Sequence, residues 1–454
     1  MKKQIIGLTL IAGILSIAGS IVADDVAVTV YNSNLGVIRE TRQLEFKKGT
    51  GRISFVDVPS LIDPTSVGFE LKDKNKSVTI LEQNYAYDLV SPEKIYSKYI
   101  DKEIELINKD GKIFNGALLS YSGGAVVLKE KSGQIQIIRL DEIINTNFPD
   151  LPDGLITRPT LFWLYNSDFE GMAASNVSYQ TTGMNWTAEY VGILSEDDNL
   201  LDLTGWSSIT NNSGATFKDA TLKLVAGDIH RAPEPRRGVM YDEGVQMMAK
   251  GALTAGFEEK QFFEYHLYTL PRRATLADNE IKQISLFDPS QVKVDKEFYF
   301  EPESNSEQVK VILKFINSKE KGLGIPLPEG RTRVFKADTD GSMILLGEDR
   351  IKHTPRDEKV ELNIGFAFDI SAKEKVVNYE KISDRVDERT YEISLRNHKK
   401  EDITITVKKR LNGDWSILKS SYPFNKEDAG AATFNIPVKA NSETLLNFLV
   451  RTTY

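Results

Sequence analysis

Alternation with a period of two dominates the chain. Val26, Val28 and Val30 alternate with Ala27, Thr29 and Tyr31, and comparable runs of β-branched and aromatic residues recur at 37–46, 51–58, 67–71 and 78–87. Turn sequences such as Ile62-Asp63-Pro64-Thr65 separate them. This pattern predicts short strands with one face buried. Helical periodicity is scarce. Its clearest instance opens at Ser91-Pro92, where serine caps the free amides and proline is tolerated at the first helical position, after which Ile95, Tyr96, Tyr99 and Ile100 share one face.

Behind that helix come four hairpin-linked runs, 103–108, 113–120, 125–130 and 134–139, divided by Lys109-Asp110-Gly111, Gly123-Gly124 and Ser132-Gly133. A helical turn at 140–143 leads to a fifth run at 144–148. One helix and five short strands predict an SH3-like or Sm-like small barrel over 91–150, a barrel type that often binds RNA but whose fold does not carry function.

Pro149, Pro152 and Gly154 mark a boundary. Residues 151–230 read as a β-sandwich unit, with strands at 177–180, 186–194, 202–210 and 221–225. The stretch 231–256 differs in composition (Ala232-Pro233-Glu234-Pro235, then Met240, Met247 and Met248) and reads as a flexible Met-containing loop. Either its methionines adapt to a partner surface or they pack within one over-long loop. Two further units are expected, a β-sandwich over 257–368 and an immunoglobulin-like unit over 369–454. Thr269-Leu270-Pro271 with Asp278-Asn279-Glu280 is echoed by Asn435-Ile436-Pro437 with Asn441-Ser442-Glu443, which points to a shared sandwich architecture. The fold class expected is all-β: several immunoglobulin-like β-sandwich units, including an N-terminal β unit over 24–90, with the small barrel inserted.

The length of 454 residues argues for about three domains at ordinary sizes, and the spacing of the strands raises this to four or five small units. Hydrophobic residues at 41% and charged residues at 27% exclude a wholly disordered, collagen-like or polytopic membrane chain. Lys2 and Lys3 precede an apolar run at 5–22, interrupted by Gly7, Gly13 and Gly19, with Ala18, Ser20 and Ala23 as cleavage points. Residues 1–23 therefore read as a secretory signal peptide, the alternative being an uncleaved membrane anchor barely long enough to span. The absence of cysteine excludes disulfides, thiolate nucleophiles and Cys-ligated metals, and beside an export signal it fits a bacterial envelope or secreted protein. A periplasmic, cell-surface or extracellular location is expected. With 57 basic and 65 acidic residues the formal charge is −8, and no basic block stands free of acids, so no nucleic-acid partner is expected.

Several strings carry a likeness. Leu81-Glu82-Gln83-Asn84-Tyr85 with Tyr87-Asp88-Leu89, Leu203-Thr204-Gly205-Trp206, Thr210-Asn211-Asn212-Ser213-Gly214 and Leu222-Lys223-Leu224-Val225-Ala226-Gly227-Asp228 occur in order. They are followed by Glu264-Tyr265-His266-Leu267-Tyr268-Thr269-Leu270-Pro271, Leu323-Gly324-Ile325-Pro326-Leu327-Pro328, Gly347-Glu348-Asp349-Arg350-Ile351 and Leu395-Arg396-Asn397-His398. Over residues 31–454 the chain resembles the bacterial family catalogued as domain of unknown function 4139. A more distant likeness is to the mucoidy inhibitor A proteins, whose coiled-coil heptads it lacks. The resemblance implies no established activity and no catalytic residues.

The chain contains no His-Glu-x-x-His, no Gly-x-Ser-x-Gly and no phosphate-cradling glycine loop. His266, His353 and His398 are candidates for a functional surface, together with Met247 and Met248; a zinc site needs three or four converging ligands, which the spacing does not supply. No catalytic, cofactor or metal site is assigned and no cofactor is expected. Asp338-Thr339-Asp340-Gly341-Ser342 opens like a calcium loop but lacks the later bidentate acid, so a hairpin turn explains it better. Trp163, Trp186, Trp206 and Trp415 offer either a sugar-stacking platform or core anchors, the latter fitting Trp206 and Trp415 better. The leading expectation is an exported, non-catalytic interaction or scaffold element of the bacterial envelope. Its partner would be a protein or an envelope polymer, with membrane contact only if the N-terminal segment is retained. The alternative is a carboxylate-dependent hydrolase acting on an envelope polymer or peptide.

Overall fold

The computed structural model describes residues 25–87, 90–150, 156–227, 229, 257–262, 265–303 and 307–454. The segment 1–23, the loop 231–256 and its Met247 and Met248 lie outside the described residues. As expected, the chain is nearly all β. The N-terminal part forms β1 (Asp25–Tyr31), β2 (Gly36–Phe46), β3 (Gly49–Val56), β4 (Ile62–Leu71) and β5 (Val78–Ala86). Then come α1 (Pro92–Lys98), β6 (Glu103–Asn108), β7 (Ile113–Ser122), β8 (Ala125–Lys129), β9 (Ile135–Arg139) and β10 (Ile143–Asn147). The middle carries β11 (Thr160–Ser167), β12 (Gly171–Thr181), β13 (Met184–Leu194), β14 (Leu200–Asn211), β15 (Phe217–Ala226), β16 (Glu258–Phe262), β17 (Tyr265–Thr269), β18 (Ala274–Leu276) and β19 (Glu280–Lys293). The remainder is β20 (Asp295–Phe300), β21 (Gln308–Ile316), β22 (Gly330–Ala337), β23 (Met343–Ile351), β24 (Lys359–Ser383), β25 (Val386–Asn397), β26 (Ile403–Arg410), β27 (Asp414–Ser420), β28 (Asn425–Asp428), β29 (Ala431–Val438) and β30 (Ser442–Thr453).

A first sandwich packs the sheet β16-β17-β15-β1-β2-β12-β4, with β18 also on β15, against β3-β11-β5 and β19-β14-β13-β22-β23. In the second, the sheet β27-β30-β25-β24-β21-β20-β26-β29-β28 folds over, so that Ile393, Leu395 and Phe448 meet Ile405, Val407 and Phe434 in one core. The small barrel is built as expected. Ser91 caps α1 by accepting a hydrogen bond from the Lys94 amide, and Tyr96 and Tyr99 pack with Leu106, Leu118 and Val126 under the sheet β10-β6-β7-β8-β9.

The sheets cut across the divisions drawn along the sequence. Residues 24–90 do not close on themselves: β1 pairs in parallel with β15, β2 and β4 pair with β12, and β3 and β5 flank β11. Residues 257–368 and 369–454 are joined by a single strand, β24, which passes from β21 to β25 near Ile370. Alternation identifies a strand and its buried face, whereas its partner is set by packing between distant segments.

The two sandwiches repeat one topology. β1 pairs with β2 and lies parallel to β15, as β20 pairs with β21 and lies parallel to β26. β2–β12 corresponds to β21 with the first half of β24, and β13–β14–β19 to the second half of β24 with β25 and β30. The small barrel is inserted between β5 and β11. The hairpin β22–β23 is inserted between β21 and β24 and joins the first sandwich, because β22 lies parallel to β13. Gly330 permits this approach, since a Cβ there would lie 2.3 Å from the Ala188 carbonyl oxygen.

Candidate functional site

The three histidines occupy separate places. His266 on β17 faces Glu259 on β16, with Nδ1 2.7 Å from Oε1 and both side chains largely buried. Two residues on, the Tyr268 hydroxyl donates to the Pro326 carbonyl (3.3 Å), and burial with the nearby Glu259 charge pushes it well above the usual tyrosine range. An imidazole held by a carboxylate is part of a general-base relay, which also requires a nucleophile within hydrogen-bond reach. His353 is exposed, and its Nδ1 accepts the Glu329 amide at 3.1 Å, tying the segment before β22 to the one after β23. His398 is exposed in the turn after β25, its amide donating to the Asp369 carbonyl. Among the described residues no three His, Asp or Glu side chains gather as a metal would need.

Trp163 and Trp186 are core residues, with indole N–H groups donating to Gln83 Oε1 and to the Val225 carbonyl, and Trp415 is buried as expected. Trp206 is not a core anchor: it is 40% exposed, because its position on β14 falls on the outward face opposite Glu189. Asp338–Ser342 is the expected hairpin turn, closed by the Asp338 amide donating to the Ser342 carbonyl. The Pro-rich crossing 323–328 acts through its carbonyls, which receive the Asn317 amide group at Ile325 and the Tyr268 and Tyr190 hydroxyls at Pro326 and Pro328.

Two features had no counterpart in the sequence reading. One is a buried charge cluster in the second sandwich. Lys409 Nζ lies 2.5 Å from Glu303 and 2.8 Å from Glu374, above the Tyr391 ring. Its signal was the inward series Ile403, Ile405, Val407, Lys409, in which a lysine takes a core position. Burial pushes the Glu374 carboxyl up; Lys409 draws it down and Glu303 pushes it up again. Burial alone would lower Lys409, yet the two carboxylates together hold it above the ordinary lysine value. The two shifts are compatible, since one ammonium serves two acids.

The other feature is a pair of neighbouring strand ends with exposed apolar side chains. The Asn363 amide donates to Asp349, bringing β23 and β24 side by side. Past this point the strands carry Met343, Ile344 and Leu345 on one side and Phe366 and Phe368 on the other, all about half exposed except Phe368, which is 100% exposed. A pocket of about 350 Å³ between β4 and β5, lined by Val67, Phe69, Val78, Ile80 and Trp163, is a seam of the first core. No described helix is long and apolar enough to cross a membrane.

Compared with protein-family models and with curated proteins, the chain matches none.

Proposed function

We propose that this chain is an exported, non-catalytic β protein that acts as an interaction or scaffold element of the bacterial envelope. The observation that carries the interaction reading is the pair of exposed apolar strand ends, Met343, Ile344 and Leu345 on β23 and Phe366 and Phe368 on β24. Apolar side chains gathered on a surface mark contact sites, and a phenylalanine left wholly in water is costly unless a partner covers it. A protein partner fits these strand ends better than a hydrated polymer. The export assignment is supported by the signal-like pattern of residues 1–23. We further propose kinship with the domain of unknown function 4139 family; its strings fall on corner and core residues such as Asn211, Leu222, Tyr268 and Asn397, so they would report a shared scaffold.

The test is a photo-cross-linking residue at Phe368 in growing cells, with Lys218 as an exposed control. Discrete adducts in the envelope fraction at Phe368 and none at Lys218 are expected; equal labelling at both sinks the interaction reading. Mass spectrometry of the N-terminus addresses export, and Lys2 retained in the membrane fraction replaces secretion by anchoring. The second reading, a hydrolase, rests on the His266–Glu259 pair. Hydrolysis of an envelope polymer or peptide that is lost in Glu259→Gln would establish it in place of the binder.

A further inference from the structure

The two sandwiches differ at one edge. From Asn211–Met184 in the first ladder and Asn397–Ile370 in the second, Ala188 corresponds to Glu374, Glu189 to Lys375, Leu203 to Arg389 and Leu201 to Asp387. In the first sandwich the outer edge of β13 is filled by β22, in parallel, from Ala188–Gly330 to Leu194–Lys336. Arg331 and Arg333 of β22 reach Glu189 at 3.2 and 3.1 Å, so charge helps to choose the strand. In the second sandwich the same edge is residues 374–383 of β24. It has β25 on one side; on the other the Ala372 amide donates to the Glu307 carbonyl, and beyond it no strand lies among the described residues.

Val376, Val377, Tyr379 and Ile382 stand about half exposed along this edge. The inner face behind it is polar where the first sandwich is apolar. Where the first sandwich buries Leu201 and Leu203 in a core that continues into Leu313 and Phe315, the second carries Asp387 and Arg389. Asp387 is 5% exposed with Oδ1 unpartnered, and Arg389 leaves a buried Nε–H unpartnered. Lysines and bulges guard an edge against pairing with itself, and β24 has both. Neither accounts for four half-exposed apolar side chains or for buried polar atoms without partners.

We propose that residues 374–383 of β24 accept an extended strand from a partner protein, added in parallel as β22 is added to β13, with acidic residues of that strand facing Lys375. Backbone amides along the edge would supply affinity and the alternating side chains selectivity. Lysine in the place of Glu189 inverts the charge requirement, so the arginines of β22 from another copy are rejected and an acidic strand is favoured. Lys375 now meets Glu392 at 2.6 Å, with the lysine side largely exposed, so an incoming carboxylate can share it. This inference rests on the interaction reading above and names the partner's form.

The probe is a synthetic peptide spanning residues 328–337, in its native form and with R331E and R333E, titrated onto the full chain and followed by fluorescence anisotropy. The acidic peptide is expected to bind at least about tenfold tighter than the native one, and K375E to reverse the order. V377P, at a position the β24–β25 ladder skips, is expected to weaken the acidic peptide about tenfold with the circular dichroism unchanged. Equal affinity for both peptides, or no saturation by the acidic one at about 1 mM, overturns the strand acceptor. Such a result leaves the interaction reading standing if Phe368 still cross-links. Peptide binding without cross-links would instead remove the cellular reading and keep the acceptor.

Discussion

Asn211 and Asn397 close the same corner of each sandwich. Asn211 donates through Nδ2 to the carbonyls of Ala215, Leu276 and Ala277 and accepts the Ser213 amide; Asn397 donates to Glu401, Val438 and Lys439 and accepts the Lys399 amide. Both are 1% exposed, so alanine would strand several buried polar groups at once. Asn211→Ala and Asn397→Ala are each expected to cost about 2–4 kcal/mol in urea unfolding, whereas Asn212→Ala, whose side chain is exposed, is expected to cost under about 0.5. A second prediction concerns Glu374, whose carboxyl is raised by burial. Between the ordinary glutamate value and this raised one, the folded chain holds a proton that the unfolded chain has released. The contribution of this group therefore falls as pH rises through that window, from about pH 4 upward, and is greatest below it. Glu374→Gln is expected to flatten that decline in urea midpoints measured across the weakly acidic range, with Glu303 still pairing Lys409. An unchanged slope would mean that Lys409 and relaxation of the site cancel the burial effect.

At the scale of elements, the hairpin β22–β23 is an insertion from the second sandwich that completes a sheet of the first. Its seat depends on Gly330, because a side chain there meets the Ala188 backbone. Gly330→Ala is accordingly expected to cost about 1–3 kcal/mol and to speed amide exchange along 330–336 more than along 359–366, a difference that global destabilisation would not produce. This docking also shows what the sequence could and could not convey. Alternation marked β1, β13 and β14, and the Ser91-Pro92 signal marked α1, since both are local consequences of which side chains face the core. Parallel partners such as β15 for β1 or β22 for β13 lie far away in sequence and leave no local mark. The break placed near Asp369 lies where β24 changes partners, a bend within one strand. Of the candidate residues, His266 gained a carboxylate partner that spacing could not reveal, and nothing local in the sequence sets the exposed Phe366 and Phe368 apart from buried strand residues.

At the scale of the whole molecule, the three cores are unequal in independence. The first runs from Val26 and Trp163 into Leu313, Phe315 and Leu362, so it draws on strands whose ladders belong to the second sandwich. Asp198 at the β13–β14 turn binds Lys296 of β20 and Lys336 of β22, fastening the same junction. The barrel core, by contrast, consists of residues between 95 and 148 alone. The chain leaves and re-enters the first sandwich through neighbouring residues, with the Val90 amide donating to the Ile156 carbonyl at 3.0 Å. A short loop can therefore replace the insertion at little entropic cost, since closure depends only weakly on loop length. Replacing residues 91–155 by a few glycines and serines is expected to leave the melting of the two sandwiches within about 4 °C of the full chain and to remove one calorimetric transition. Ending the chain after Lys293, which keeps every strand from β1 to β19, is expected to abolish cooperative unfolding, because it uncovers Leu201, Leu203 and Tyr190. A cooperative melt from that fragment would mean that the first sandwich is self-sufficient and that the shared core is an interface between finished domains.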